Sequence, residues 1–392
     1  MRIEMVRFIK KFRASEYGMK IRERFFPEPG VDRAARDLAR AMKRFSECEN
    51  KKKPSLIKRE LQICKDYWNC YPHHYYIYDL FREDNHLTEE ELINFIPHFY
   101  WNYLFLPYHN SRKFSLLGEN KIMIDLFFRS LKISQPETLS ILLNGNLYSP
   151  GMELVPFTRI HDEIMNSGHE KIFVKPADGS GGKGFHIFHK NDRNEYVTRQ
   201  NIVFNENFLD AIGKNNDYII QSGLTQDPEI SRIYPESVNT CRIITENKNG
   251  VSRAVCAVLR LGRSQSEVDN ASSGGIFLKI DSTSGKVGDQ AMSYNYEKFK
   301  EHPDTHFIFR NYEIEHWDEI RKFVTDASGK FPFLSYLGWD IALTTDGPAA
   351  IEINRLPGIS LMQMTSGGLR EAFGINDPDY YWKNQGKRGE HL

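Results

Sequence analysis

The chain of 392 residues carries 52 Lys+Arg against 52 Asp+Glu, and 40% of it is hydrophobic. Zero net charge argues against a dedicated nucleic-acid binder, which shows a basic excess, and the length supplies about two to three domains of core without disulfide or metal staples. Five cysteines (Cys48, Cys64, Cys70, Cys241, Cys256) form no CxxC pair, no long apolar run suggests a membrane span, and charges interrupt the N-terminal segment where a signal peptide would be apolar, so a soluble, cytoplasmic protein is expected.

Residues 1–24 hold eight Lys/Arg and three Glu, with Ile3, Val6, Ile9 and Phe12 near helical spacing. This basic amphipathic helix reads either as a surface helix of its own domain or as a peripheral contact with a membrane or partner. Asp32 precedes a run with Ala35, Leu38, Met42 and Phe45 on one side. After Pro54, Leu56, Ile57, Leu61, Cys64 and Tyr67 repeat the pattern, and Thr88 with Glu91 forms a capping box ahead of Leu92, Phe95 and Phe99. Residues 1–115 are therefore expected to be mainly helical. His73 and His74 sit among tyrosines and read as an aromatic packing cluster; His186 and His189 read as surface residues.

Beyond about residue 120 the texture becomes β-branched and turn-rich. Lys171–Lys175, Phe185–Phe188 and Asp217–Gln221 read as strands, and Thr240–Thr245 with Val251–Leu261 flanks the hairpin signal Asn249-Gly250. Ile276–Asp281 leads to a turn ending at Gly285, and Ile341–Thr344 with Ala349–Asn354 forms a last hairpin before a polar tail. The whole is an α+β chain dominated by antiparallel hairpins.

Two segments carry chemistry. Residues 175–184, KPADGSGGKG, match G-x-G-x-x-G at Gly179, Gly181 and Gly184, but a strand follows, whereas a dinucleotide loop needs a helix there. A P-loop fails too, because Ala177 stands where its first glycine belongs. The stretch reads either as an ordinary glycine-rich turn or as a hairpin tip that folds backbone N–H groups over phosphates, with Lys175 as a point charge. The second segment, GWDIALTTDGPAAIEINRLPG, offers Asp340, Glu352 and Asn354, hard oxygen ligands suited to Mg²⁺. Side chains share a face only when their residues stand opposite each other. A two-residue loop pairing Asp340 with Ile353 would separate them, whereas an odd loop such as 345–347 pairs Asp340 with Glu352. The odd register is expected.

Lysine, glycine hairpin, short strand, arginine strand and D…E-x-N, in that order, resemble the ATP-grasp superfamily over roughly residues 115–370. The similarity is nearest to the sugar-transfer-associated ATP-grasp proteins, whose leader the run WNCYPHHYYIYDLF also resembles, and more distant to glutamate ligases that modify peptide ends. The resemblance implies an ATP-grasp fold of two α+β subdomains, 116–225 and 226–375, after the helical region 1–115 and before a tail 376–392. It implies Lys121, preceded by Asn120 where many members have Asp, and Lys175 as phosphate-contacting lysines. Ser180, Gly181 and Gly182 would cover the β- and γ-phosphates. Gln221, Ser222, Gly223 and Leu224 would form the adenine hinge, and Asp227 or Glu229 would hold the ribose. Arg242 would face the transferred phosphate and Arg260, with Asn270 and Gly274-Gly275, the acceptor; for both arginines a cross-strand salt bridge is the alternative. Asp340, Glu352 and Asn354 would be the metal ligands. The implied activity uses ATP and Mg²⁺ to join a small-molecule carboxylate to an amine or thiol acceptor, sugar-linked in surface-glycan assembly, through an acyl phosphate. A kinase acting on a hydroxyl, or a non-catalytic nucleotide-binding module that recruits glycosyltransferases through the N-terminal helices, are the alternatives.

Overall fold

The computed structural model describes residues 31–178 and 184–384, so the basic segment 1–24 and Ser180, Gly181 and Gly182 lie outside the described residues. The chain forms two compact units: Arg112–Pro357 is one, and the residues on either side of it, up to Ser111 and from Gly358, make the other. Among the described residues no helix is long and apolar enough to cross a membrane, and all five cysteines are free thiols.

The outer unit is helical. Helix Pro54–Trp68 opens on a proline, whose missing N–H costs nothing in the first turn, and closes on Asn69 in the left-handed conformation at φ 51°. The capping box forms as expected: Thr88 Oγ1 accepts from the Glu91 N–H at 3.2 Å, and the Glu91 carboxylate accepts from the Thr88 N–H at 2.8 Å. The helix that follows is shorter than the apolar spacing predicts. It runs only over Glu89–Ile93 and resumes at His98, because Pro97 cannot continue the ladder of N–H donors. A π turn at Trp101–Phe105 then precedes Pro107, which leaves the Tyr103 carbonyl without its usual donor four residues on.

Residues expected in the second ATP-grasp subdomain and the polar tail belong here instead. Helix Pro378–Lys383 brings Trp382, 3% exposed, against Trp68, whose carbonyl accepts from its indole N–H at 2.9 Å, and Tyr100 OH donates to Pro378 O at 3.0 Å. A single indole buries enough apolar area to hold a short polar helix. From helix Ser360–Ser366, the Gln363 side chain donates to Tyr78 OH and Ile96 O and accepts from Ile96 N–H, all within 3.0 Å.

His74 is fully buried in this unit, and neither ring nitrogen has a hydrogen-bond partner among the described residues. Burial, reinforced by His98 and His73, pushes its pKa down to about 3. The unfolded chain binds that proton near pH 6.5 and the folded chain does not, so the folding constant should fall by up to about tenfold per pH unit between pH 6.5 and 3, and no further below. Urea melts at pH 7 and 5 should show His74→Leu losing less stability than the wild type; equal losses would contradict this.

The central unit holds two sheets in which every pairing is antiparallel. The first contains β1 (Thr138–Leu143), β2 (Asn146–Tyr148), β3 (Lys171–Pro176), β4 (His186–Lys190), β5 (Tyr196–Val197) and β6 (Tyr218–Ser222), ordered β2-β1-β6-β3-β4-β5. Helices Phe157–Asn166 and Glu206–Gly213 cover it through Ile160, Ile164 and Leu209. The second contains β7 (Thr240–Lys248), β8 (Val251–Leu261), β9 (Ile276–Ile280), β10 (Ala291–Ser293), β11 (Lys298–Phe299), β12 (Tyr336–Thr344) and β13 (Gly347–Asn354), ordered β11-β10-β9-β8-β7-β12-β13. Asn249 and Gly250, at φ 53° and 75°, make the expected tight turn between β7 and β8. Helix Trp317–Gly329 covers this sheet, and every residue of β12 is buried.

Candidate active site

Both sheets lend side chains to one cavity of about 200 Å³ in the central unit. From the first sheet and its neighbouring helix come Lys175 on β3, Gln221 on β6 and Lys121; from the second come Arg260 on β8, Asp340 on β12 and Glu352 on β13.

Lys121 opens helix Lys121–Ser130. Asn120 caps that helix, accepting from the N–H groups of Ile122 at 3.1 Å and Met123 at 3.0 Å, while its Nδ2 donates to Asp178 at 2.9 Å. An aspartate there would cap equally but repel Asp178, a local reason for the amide. The far end of the helix is fixed by Phe128, whose ring stacks on Trp339 at 6.0 Å, next to Asp340.

Lys175 Nζ donates to Gln221 Oε1 at 3.0 Å, a neutral acceptor that leaves the positive charge uncancelled. Burial pushes its pKa down to about 8; Glu352 opposes the shift and Lys121 adds to it. Gln221 is held in turn by Thr138, whose hydroxyl donates to the buried Asp125 at 2.5 Å. Asp125 and Thr138 escaped sequence reading because their alignment depends on a strand and a helix meeting in space.

The carboxylate hairpin reaches the expected pairing by another route. Its loop has two residues, Thr345 and Asp346, but a bulge at Ile351 shifts the ladder from Ile341↔Ala350 to Asp340↔Glu352, so the two carboxylate residues stand opposite each other. Asn354 lies two residues beyond Glu352, on the same side of the strand. The Glu352 pKa is raised by burial and by the Asp340 charge, against the pull of Lys121, Arg242 and Arg260, and Asn354 Nδ2 is buried without a hydrogen-bond partner among the described residues. Two facing carboxylates in charge conflict, with an amide that on turning would offer its oxygen, fit a divalent cation. Among the described residues no three His, Cys, Asp or Glu side chains cluster as a metal site; two carboxylates and an amide are hard oxygen donors of the kind Mg²⁺ takes together with water and phosphate.

The arginines make the cross-strand salt bridges. Arg242 grips both Asp340 oxygens, through Nε and, at 2.6 Å, through Nη2. Arg260 Nη1 reaches Asp340 at 2.9 Å, and its Nη2 reaches Asp269 at 2.7 Å and Asn270 at 2.6 Å. Burial alone would raise the Asp340 pKa, but Arg242 and Arg260 hold it below the usual range. Asp269 also accepts from the Thr240 N–H and hydroxyl. Sequence reading passed over it although it directly precedes Asn270.

Other expected residues fall elsewhere. Asp227 caps helix Pro228–Ser231 by accepting from Glu229 N–H at 2.9 Å, Glu229 pairs with Arg232 at 2.7 Å, and neither lines the cavity, so the ribose assignment finds no support in the geometry. Within the hinge, Ser222 and Gly223 spend their N–H groups on Glu137 O and Lys171 O; Ser222 and Leu224 line the cavity. His186 and His189 are half-buried rather than superficial, the first against Phe208 and the second beside Glu267 at 2.5 Å.

Gly275 stands where no side chain fits: a Cβ there would lie 2.7 Å from Asp269 O and 2.8 Å from Leu261 O. Gly275→Ala should therefore displace the Asp269–Asn270 segment that steers Arg260, costing about 1–3 kcal/mol in urea unfolding. A wild-type midpoint would contradict this.

One sheet thus contributes a lysine and the other two carboxylates and an arginine to a shared cavity. A family model described as sugar-transfer associated ATP-grasp matches residues 101–373, and the chain belongs to that family. No curated protein matches the chain. Similar solved structures include D-alanyl-alanine synthetase A from Vibrio cholerae O1 biovar eltor (13% identity, TM-score 0.38, 70% of this chain and 66% of that one). Others are the ATP-grasp ligase PsnB complexed with minimal precursor, Mg and ADP (15%, 0.38, 69% and 62%) and D-alanine–D-alanine ligase from Bacillus anthracis (14%, 0.35, 68% and 69%). The chain thus spans slightly less than two thirds of the first two.

Proposed function

We propose that the protein is an ATP-dependent, ADP-forming ligase that joins a carboxylate to an amine or thiol through an acyl phosphate. The observation that carries this reading is the bulged hairpin that sets Asp340 opposite Glu352 in a cavity shared with Lys175 and Arg260. Membership of a family described by sugar transfer supports a sugar-linked substrate in glycan assembly.

In this reading Lys121 and Lys175 hold the triphosphate, and Glu352, Asp340 and Asn354 would hold Mg²⁺, which supplies charge neutralisation at the phosphates. The substrate carboxylate attacks the γ-phosphorus in line, ADP leaves, and the acyl phosphate forms. The amine or thiol then attacks the acyl carbon, and phosphate departs. Arg260, fixed by Asp269 and Asn270, stabilises the oxyanion of that second step. Arg242 on β7 would neutralise the transferred phosphoryl group.

Incubation with Mg-ATP, a small-molecule extract and hydroxylamine tests the reading by mass spectrometry. An ATP-dependent hydroxamate is expected, and its mass identifies the carboxylate. A phosphorylated metabolite without hydroxamate would replace the ligase with a kinase, and nucleotide binding without either product would replace it with a recruiting module.

A further inference from the structure

The helical unit holds a second concavity, a groove of ≈ 730 Å³ that the proposed reaction does not use. One wall is a face of helix Pro54–Trp68, where Pro54, Ile57, Leu61 and Lys65 follow at helical spacing over about 16 Å. Phe45 and Tyr71 complete an apolar floor.

The rim is basic. Lys53, Lys58 and Lys65 are exposed, and among the described residues no ion pair joins any of them to an acid and no Asp or Glu lines the groove. Acids are not scarce nearby: Arg40 pairs with Asp37, Arg44 with Asp79, Lys52 with Glu60, and Arg59, beside Lys58, with Glu89. The charge left unpaired thus gathers at one concave, apolar place, where a low-dielectric wall strengthens the pull on an anion. A membrane presents a plane, whereas a groove of this volume is of the size that encloses one small ligand.

We propose that this groove binds an anionic amphiphile, a phosphate or carboxylate head on an apolar tail. The head pairs with a lysine of the rim, where Lys53, Lys58 and Lys65 together supply the positive field that draws it in, and the tail lies along Phe45, Ile57, Leu61 and Tyr71. Each methylene laid on that floor adds to affinity, so neither head nor tail alone suffices.

Isothermal titration of the full chain with dodecyl phosphate below its micellar concentration tests this. Dodecyl phosphate should bind at least about tenfold tighter than inorganic phosphate or dodecyl maltoside, and added salt should weaken it. The K53Q/K58Q/K65Q variant, altered only at exposed positions, should melt as the wild type does and lose at least about tenfold in affinity, as expected for removing three charges. Dodecanoate separates the two head groups: binding as tight as dodecyl phosphate assigns a carboxylate as readily as a phosphate, and weaker binding assigns phosphate. The proposal falls if dodecyl phosphate does not bind, if the variant binds it equally, or if either half-ligand binds as tightly as the whole.

Discussion

Glu352→Gln should lower ATP-dependent product formation by about 10³-fold, because a bound cation at the transferring phosphate contributes several kcal/mol. The same change should leave the fold intact. Glu352 faces Asp340 across the hairpin, and its pKa is already raised by burial and that neighbouring charge, so a neutral isostere relieves a like-charge contact. The two readouts separate a ligand role from a structural one. ADP release with a trapped acyl group should disappear, the Mg²⁺-dependent part of nucleotide affinity should weaken, and the thermal midpoint should hold or rise. Wild-type turnover would remove Glu352 from the reaction, and a collapsed midpoint would make it structural.

Asp340→Ala should cost about 3–5 kcal/mol of stability, since removing one partner of a buried ion pair strands the others. Two guanidiniums meet this one carboxylate, Arg242 with two contacts and Arg260 with one. Asp269 still balances Arg260 after the substitution, so the stranded charge falls mainly on Arg242. Adding Arg242→Ala to Asp340→Ala should therefore recover part of the loss, whereas adding Arg260→Ala should strand Asp269 and deepen it. Urea unfolding of the single and double variants measures the difference, and simple additivity would contradict the shared network.

The sequence disclosed what depends on local pattern. Asn249-Gly250 announced its hairpin, Thr88 and Glu91 their capping box, and the short runs Ile341–Thr344 and Ala349–Asn354 the hairpin that carries Glu352. It did not disclose what depends on meeting in space. The bulge at Ile351 restores by an extra residue the pairing that an odd loop would have given, and the two short runs read the same either way. Asp125, Thr138 and Asp269 work through partners on other elements, so no spacing marks them. Trp382 was hidden by its polar surroundings, although one indole outweighs them in area.

The interrupted path of the helical unit bears on how the protein is made. A ribosome delivers residues up to Ser111, then the whole of Arg112–Pro357, before it releases the part that completes the first unit. The middle stretch is continuous and carries both sheets, so it can fold while the helical unit still awaits Gln363 and Trp382. Until then Trp68 and Tyr100 lack the indole and carbonyl that cover them, and a nascent chain exposes that aromatic face for the time of some 250 elongation steps, at about 5–20 per second. A stop codon between Gly358 and Trp382 would thus leave the two-sheet unit joined to a sticky, unfinished one, prone to aggregation.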